Sequence, residues 1–215
     1  MGRKAAVVVV VGNIGSGKST VTPIIASGLN AKLIDADNLF QTTNPFRERY
    51  LKHTQRWALA NELWMTLERI RLLNRYRTFK RKNVVIDSGI LMSWAYTYGH
   101  FLSGILSKEE WQVYRRLFDK LVDNAFGDLT VVALECSVET LLKRIKKRGR
   151  KFEIEYYTPI YLQRINRGLK ELHKKLEREG ARVAVFKEED LKGLLHQEKV
   201  KLGVVERVLA EINYG

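Results

Sequence analysis

A short segment near the N-terminus combines glycines, a lysine and hydroxyl side chains at the spacing of a phosphate-binding loop. Residues 12–19 fit the pattern G-x-x-x-x-G-K-[ST], and five consecutive valines precede them. Glycines in such a loop let backbone N–H groups point inward and bind phosphate oxygens, and the following helix adds the positive end of its dipole. The segment therefore predicts a nucleoside triphosphate site, formed by Gly12, Asn13, Ile14, Gly15, Ser16, Gly17, Lys18, Ser19 and Thr20.

Two side chains of this loop have the chemistry for phosphoryl transfer. Lys18 is at the position that contacts the β- and γ-phosphates, and the Ser19 hydroxyl is at the position that binds Mg²⁺. We therefore expect Lys18 to be catalytic as well as phosphate-binding, and Ser19 to be a metal ligand.

Aspartates follow two further apolar runs. Asp35 and Asp37 come directly after the run K-L-I, and Asp87 closes the run N-V-V-I-D. A carboxylate at such a position can hold Mg²⁺ or accept a proton from a substrate hydroxyl. We interpret Asp87 as a metal ligand, and either Asp35 or Asp37 as a general base. The alternative is that these aspartates only cap turns, where the residue type is common.

The elements that must position these residues alternate between strand and helix. Short apolar runs predict strands at Ala5–Val11, Lys32–Asp35, Asn83–Asp87, Leu129–Glu135 and Arg182–Phe186. Helices are predicted at Lys18–Leu29, Thr54–Tyr76, Lys108–Ala125, Val138–Arg148, Pro159–Glu179 and Gly203–Asn213. This alternation predicts an α/β fold with a five-stranded parallel sheet between two helical layers. Ligands of such sheets bind beyond the carboxyl ends of the strands, so the loop and the aspartates should converge.

Composition and charge limit the class of protein. The chain has 215 residues, 45% of them hydrophobic, which suits one domain over 1–215. A single cysteine and an N-terminus without an apolar signal region favour a reducing, cytoplasmic location and no membrane association. The net charge is +14, and seven of the nine residues at 143–151 are basic. A nucleic-acid partner is compatible with this charge but not favoured, because no nucleic-acid-binding signature is present.

Further motifs in the same order resemble the deoxynucleoside kinase family, phosphate-loop enzymes related to nucleoside monophosphate kinases. The segment G-N-I-G-S-G-K-S-T is followed by N-P-F at 44–46, by Tyr50, and by a helix that opens at Trp57 and carries Arg69. An arginine-rich segment of the form R-x-x-x-R-G-R then supplies Arg144, Arg148 and Arg150. The resemblance extends over residues 5–186.

The resemblance implies transfer of the ATP γ-phosphate to the 5′-hydroxyl of a small-molecule deoxynucleoside, in a homodimer. It implies that residues 144–158 form a lid, in which Arg144 and Arg148 are catalytic and Arg148 and Arg150 bind the donor. It further implies that Tyr50 and Glu153 bind the sugar. In this family Asp35 or Asp37 would be the base, and Asp87 the acidic residue associated with Mg²⁺.

The helix from Trp57 to Arg69 is expected to read the nucleobase. Glu62 stands where the family has a glutamine that pairs with the base, and Trp57 and Arg69 are further candidate substrate contacts. An ionised carboxylate only accepts hydrogen bonds, so two free oxygens would suit adjacent donors such as those of guanine. The alternative is that Glu62 pairs with a protein cation and touches no ligand.

Two positions depart from the family pattern. Ser88 stands in place of an arginine near the acceptor hydroxyl, and Ser93 in place of an aspartate that helps read the base. Three hypotheses therefore remain. The chain is a deoxynucleoside kinase with a purine preference; or a related phosphotransferase acting on a nucleoside monophosphate or on a hydroxyl within DNA; or a nucleotide-binding protein without catalysis.

Overall fold

A parallel five-stranded sheet forms the centre of the protein. The computed structural model describes residues 5–36, 38–77, 82–122 and 129–213. The strands are β1 (Val7–Gly12), β2 (Lys32–Asp35), β3 (Val84–Asp87), β4 (Leu129–Glu135) and β5 (Arg182–Lys187). They lie in the order β2-β3-β1-β4-β5, and each neighbouring pair is parallel.

Helices connect the strands on both faces of this sheet. Between β1 and β3 lie α1 (Lys18–Gly28), α2 (Leu39–Thr42), α3 (Arg47–Lys52) and α4 (Thr54–Arg77). Between β3 and β4 lie α5 (Ile90–Leu102) and α6 (Lys108–Leu121). The rest are α7 (Val138–Arg148), α8 (Lys151–Tyr156), α9 (Pro159–Arg178) and α10 (Glu198–Asn213). Among the described residues, no helix is both long enough and apolar enough to cross a bilayer.

The valine run of β1 packs against both helical layers. Successive side chains of a strand point to opposite faces. Val7, Val9 and Val11 join the core cluster that contains α5, α6 and α9 residues, whereas Val8 and Val10 join the cluster that contains α1 and α10 residues. Because both faces of β1 are buried, an unbroken apolar run is stable there, and alternation with polar residues is not needed.

The predicted strands match the observed ones to within two residues at each end, and the α/β class is confirmed. Two predicted helices differ by more than one residue or extend beyond the described residues. The last helix begins at Glu198 instead of Gly203, and α6 is described only to Leu121, so its predicted end at Ala125 lies outside the described residues. The lid segment 144–158 contains the end of α7 and the short helix α8.

Helix α5 has no counterpart among the predicted helices. Its sequence, ILMSWAYTYGHFL, has no polar stripe, and nine of its thirteen residues are buried. A helix enclosed on all sides loses the amphipathic period by which surface helices are recognised. The short helices α2, α3 and α8 were also not predicted, since six residues or fewer carry little periodic signal.

The packing of α5 on α9 depends on Gly168. A Cβ atom at this position would lie 2.6 Å from the carbonyl oxygen of Ala95, which is a backbone atom and cannot rotate away. By contrast, a Cβ at Gly203 in α10 would meet no atom within 4 Å. These two helical glycines therefore form a matched pair.

We expect Gly168→Ala to lower the free energy of unfolding by about 1–3 kcal/mol, because α5 and α9 must separate to admit the methyl group. Gly203→Ala should instead raise it by about 0.5–1 kcal/mol, since alanine favours the helix interior. Urea unfolding followed by circular dichroism measures both. Equal effects of the two substitutions would contradict the close approach at Gly168.

Candidate active site

The phosphate loop between β1 and α1 has the backbone conformation that its glycines permit. Gly15 has φ +80° and Gly17 has φ +102°, both in the left-handed region. At Gly12 a Cβ would lie 2.5 Å from Ser16 Oγ and 3.0 Å from Leu134 Cβ, so the loop also needs glycine there for space. The result is a concave run of backbone N–H groups ahead of α1, which fits a chain of phosphates.

Lys18 folds back across this loop. Its Nζ donates to the carbonyl oxygen of Gly12 at 2.9 Å and to that of Asn13 at 3.2 Å, and the residue is only 6% exposed. Both hydrogen bonds hold the ammonium group over the loop, and both acceptors are neutral carbonyl oxygens. Its charge remains available to phosphate oxygens.

Asn13 fixes the loop to helix α9. Its Nδ2 donates to the carbonyl oxygen of Leu162 at 2.8 Å and to Oδ1 of Asn166 at 2.7 Å. Its Oδ1 accepts the backbone N–H of Ile14 at 2.8 Å. A buried amide with three hydrogen bonds is stable and well oriented. The loop is therefore attached both to β1 and to the helix that follows the lid.

Ser19 and Asp87 meet at the carboxyl end of the sheet. Ser19 Oγ lies 3.2 Å from Asp87 Oδ2, and Ser88 Oγ donates to Asp87 Oδ1 at 3.1 Å. A hydroxyl and a carboxylate with room for water are the oxygen donors that Mg²⁺ prefers beside a nucleotide. Among the described residues there is no group of three or more His, Cys, Asp or Glu residues that could hold a metal by themselves. The donors that are present fit an ion held mainly by phosphate and water.

Asp35 ends β2 directly beside Asp87, with which it is paired in the sheet register. Its Oδ1 accepts the backbone N–H of Asn38 at 3.0 Å, and the residue is exposed. It is absent from the described lining of the cavity that contains the phosphate loop. Asp37, the other candidate base, lies outside the described residues.

One cavity of about 600 Å³ joins the phosphate loop to the predicted acceptor residues. The loop supplies Gly15, Gly17, Lys18, Ser19 and Thr20 to one end. Tyr50 and Glu62 line another part of the cavity, and the described lining carries charges of both signs. The cationic lining residues are Lys18, Arg69, Arg144, Arg148 and Arg150, and the carboxylates are Glu62 and Glu153. The excess of cations suits a ligand with several negative charges.

The lid arginines have two different sets of partners. Arg144 donates from Nη1 to the carbonyl oxygens of Gly15 at 3.3 Å and Ser16 at 2.9 Å, so it rests on the phosphate loop. Arg148 and Arg150 pair with the two oxygens of Glu153, Arg150 at 3.1 Å. Glu153 is 3% exposed, and the two guanidinium groups compensate its buried charge.

Tyr50 belongs to a group of aromatic side chains at the acceptor end. Its hydroxyl lies 3.2 Å from His100 Nε2. Burial, followed by the nearby charge of Glu62, raises the pKa of the Tyr50 hydroxyl well above its usual value. Burial likewise raises the pKa of Tyr161. Both phenols stay neutral at physiological pH and remain able to hydrogen-bond a sugar.

Arg69 and Glu62 lie in α4 on the same side of this cavity. Arg69 donates from Nη1 to Ser93 Oγ at 3.0 Å and lies 5.8 Å from the centre of the Tyr96 ring. Ser93, at the position where the resemblance leads to the expectation of an aspartate, thus contacts the arginine. Glu62 Oε1 accepts from Asn61 Nδ2 at 3.0 Å and lies 3.4 Å from His100 Nε2.

Sequence reasoning did not find Asn61, Tyr96, His100 or Tyr161 as lining residues. Tyr96 and His100 are four residues apart on α5, and so lie on one helix face, but α5 itself was not predicted. Trp57, which was expected to contact the substrate, is not among the described lining residues; it packs on Phe46 and under the guanidinium of Arg49. Gly12, Asn13 and Ser16 lie in the loop behind its cavity-facing residues.

The chain belongs to the deoxynucleoside kinase family. The family's sequence profile, described as deoxynucleoside kinase, matches residues 8–213. The family expected from the motifs is therefore confirmed, and with it the class of enzyme, a nucleoside kinase.

Individual relatives give the same result. The chain is 26% identical over 175 residues to a deoxyadenosine kinase of Lactobacillus acidophilus, covering 72% of this chain and 79% of that one. It is 26% identical over 157 residues to a deoxyguanosine kinase of Bacillus subtilis, covering 72% of each. The structure of a deoxyadenosine kinase from M. mycoides with bound dATP superimposes with a TM-score of 0.74 at 20% identity, covering 97% of this chain and 99% of that one. This last similarity confirms the fold.

Substituting Asp35 and Asp37 one at a time shows which of them is the general base. We expect either Asp35→Asn or Asp37→Asn to lower kcat about 10²–10⁴-fold, because an amide cannot accept the acceptor's proton. The other substitution should leave kcat near the native value. Steady-state kinetics with ATP measures both, and calorimetric ATP affinity controls for damage to the loop. Near-native kcat in both variants would contradict a carboxylate base at the end of β2.

Proposed function

We propose that this protein transfers the γ-phosphoryl group of ATP to the 5′-hydroxyl of a purine deoxynucleoside. The observation that carries the proposal is the single cavity that joins the phosphate loop to Tyr50, Glu62 and Glu153, with cationic side chains between. Phosphoryl transfer needs the two substrates held in line and the charge of the moving group neutralised. The names of the relatives, which include deoxyadenosine and deoxyguanosine kinases, support a purine acceptor.

In this mechanism the loop amides and Lys18 hold the donor phosphates. Mg²⁺, when bound at Ser19 and Asp87, supplies positive charge against the phosphate oxygens. Asp35 or Asp37 accepts the proton of the 5′-hydroxyl. Tyr50 and Glu153 orient the sugar, so that the hydroxyl faces the γ-phosphate.

The lid arginines neutralise the transferring group. Arg144 already rests on the loop carbonyls, whereas Arg148 is held by Glu153. When Glu153 turns to a sugar hydroxyl, Arg148 and Arg150 become available to phosphate oxygens. Glu153 therefore couples binding of the acceptor to the position of the arginines, and a closed lid excludes water that would hydrolyse ATP.

Transfer of label from γ-labelled ATP to an acceptor panel tests the function. The panel holds free deoxynucleosides, ribonucleosides, nucleoside monophosphates and duplex DNA, with Lys18→Ala as the inactive control. We expect label on purine deoxynucleosides, with weak dependence on salt. Label only on monophosphates, or only on DNA with a steep salt dependence, would assign a different phosphotransferase activity. ATP binding without any labelled product would indicate a non-catalytic nucleotide-binding protein.

We also propose a homodimer through α4 and α6. These helices contact each other, and they expose Leu67 and Val113 to 49% and 64%. Apolar side chains exposed on adjacent helices favour contact with a second copy.

Sedimentation equilibrium should therefore give twice the chain mass of 24.9 kDa. We expect the double variant Leu67→Glu, Val113→Glu to sediment as a monomer, because charge on the contact face opposes association. Leu195→Glu, at a residue that is 65% exposed elsewhere on the surface, is the matched control. A native protein that sediments as a monomer would reject the proposal.

A further inference from the structure

The two oxygens of the Glu62 carboxylate have different surroundings. Oε1 accepts a hydrogen bond from Asn61 Nδ2 at 3.0 Å and lies 3.4 Å from His100 Nε2. Oε2 is buried and has no hydrogen-bond partner among the described residues. The whole residue is 4% exposed, so bulk water does not compensate this oxygen. A buried acceptor without a partner is costly, which points to a ligand that supplies the missing donor.

Asn61 is itself fixed by a chain of amide hydrogen bonds. Its Oδ1 accepts from Asn44 Nδ2 at 2.7 Å, and Asn44 Oδ1 accepts the backbone N–H of Phe46 at 2.8 Å. Because the backbone N–H only donates, each amide in the chain has a defined direction. In the last hydrogen bond of this chain, Asn61 Nδ2 donates to Glu62 Oε1. Oε1 is therefore paired with the Asn61 amide, whose orientation is set by Asn44 in the loop before α3.

His100 occupies the remaining side of Oε1. Its ring lies between Glu62 and the Tyr50 hydroxyl, which is 3.2 Å from the same Nε2 atom. His100 is 1% exposed and comes from α5, whereas Asn61 belongs to α4. At 3.4 Å the His100 contact is an ion-pair distance and not a hydrogen bond, so Asn61 supplies the hydrogen bond to Oε1 and the His100 ring restricts further access to that oxygen.

The same helix also supplies a donor without a partner. Arg69 lies two turns after Glu62 on the same face of α4. Its Nη1 donates to Ser93 Oγ, and its Nε is buried without a partner among the described residues. The acceptor end of the cavity therefore presents one acceptor, Glu62 Oε2, and one donor, Arg69 Nε.

We propose that Asn61 and His100 are specificity-determining residues, which act by occupying Glu62 Oε1 so that the site reads adenine in preference to guanine. This inference rests on the proposed function. The edge of adenine carries an amino donor next to a ring-nitrogen acceptor. One acceptor and one donor match that edge completely.

Guanine matches the same site less well. Its N1–H and N2–H₂ are adjacent donors, which an unhindered carboxylate would accept with both oxygens. With Oε1 occupied, Glu62 Oε2 can pair with N1–H and Arg69 Nε with O6, but N2–H₂ then stays unpaired when it leaves water, and such a group lowers affinity. The two-oxygen pairing that the sequence suggests is therefore not the one that this arrangement of Glu62 allows.

Asn61→Ala tests the inference through the ratio of kcat/KM for deoxyadenosine to that for deoxyguanosine. Removing the Asn61 donor frees a lone pair of Oε1, so the ratio should fall about tenfold, the size of one lost or gained buried hydrogen bond. His100→Ala should lower the ratio in the same direction. Thr66→Ala is the matched control, because Thr66 Oγ1 donates to the backbone carbonyl of Glu62 and not to its carboxylate. It should alter stability and leave the ratio unchanged.

A double-substitution cycle shows whether Asn61 acts through Glu62. In a Glu62→Ala background, Asn61→Ala should leave the ratio unchanged. A persisting effect would mean that Asn61 contacts the base itself, which would overturn the positioning role. An unchanged ratio in Asn61→Ala alone would overturn the inference outright.

Calorimetry separates this inference from the proposed function. If the native protein phosphorylates no deoxynucleoside, the proposed function fails. The dissociation constants of deoxyadenosine and deoxyguanosine then give the same ratio test for the native protein and Asn61→Ala. Tighter native binding of deoxyadenosine, reduced by Asn61→Ala, supports the inference. Equal binding of the two nucleosides by the native protein rejects it.

Discussion

Phosphate binding by backbone amides requires a loop whose conformation is held from outside, because the loop itself is rich in glycine. In this protein Asn13 and β1 hold it. The valine strand is buried on both faces and ends at Gly12, and Asn13 joins the loop to Leu162 and Asn166 in α9. Since α9 also follows the lid segment and carries Tyr161, the donor loop and the acceptor pocket share one rigid support.

The charges of the site are balanced around that support. Cationic residues outnumber carboxylates in the described lining, and the two buried carboxylates each have their own partners. Glu153 is held by two lid arginines, and Glu62 by an amide and a histidine. Glu153 can exchange its arginine partners for a sugar hydroxyl, whereas Glu62 is buried between α4 and α5. Movement is therefore expected at the lid and rigidity at the base pocket.

The departures from the family pattern lie where these two regions meet. Ser88 has φ +54°, is fully buried and donates to Asp87, so no cation comes from that position. Positive charge reaches the cavity instead from α4 and the lid. Ser93 accepts from Arg69, which keeps the arginine in place while leaving its Nε to another acceptor. A serine thus preserves the orientation of Arg69 without the charge of an aspartate.

The amino-acid sequence by itself determined the phosphate loop, the parallel sheet and the family, because these depend on local spacing and on apolar runs. The five strands and the helix bearing Glu62 and Arg69 were predicted from such signals. Helix α5 was not, because a helix buried on all sides has no amphipathic period. Only the tertiary structure brought His100 from α5 to the oxygen of Glu62 that Asn61, the preceding residue of α4, also contacts. The sequence shows which residue stands where the base is read. Which oxygen of Glu62 is left without a partner depends on His100 and on Asn44, which orients Asn61, and both are distant from Glu62 along the chain.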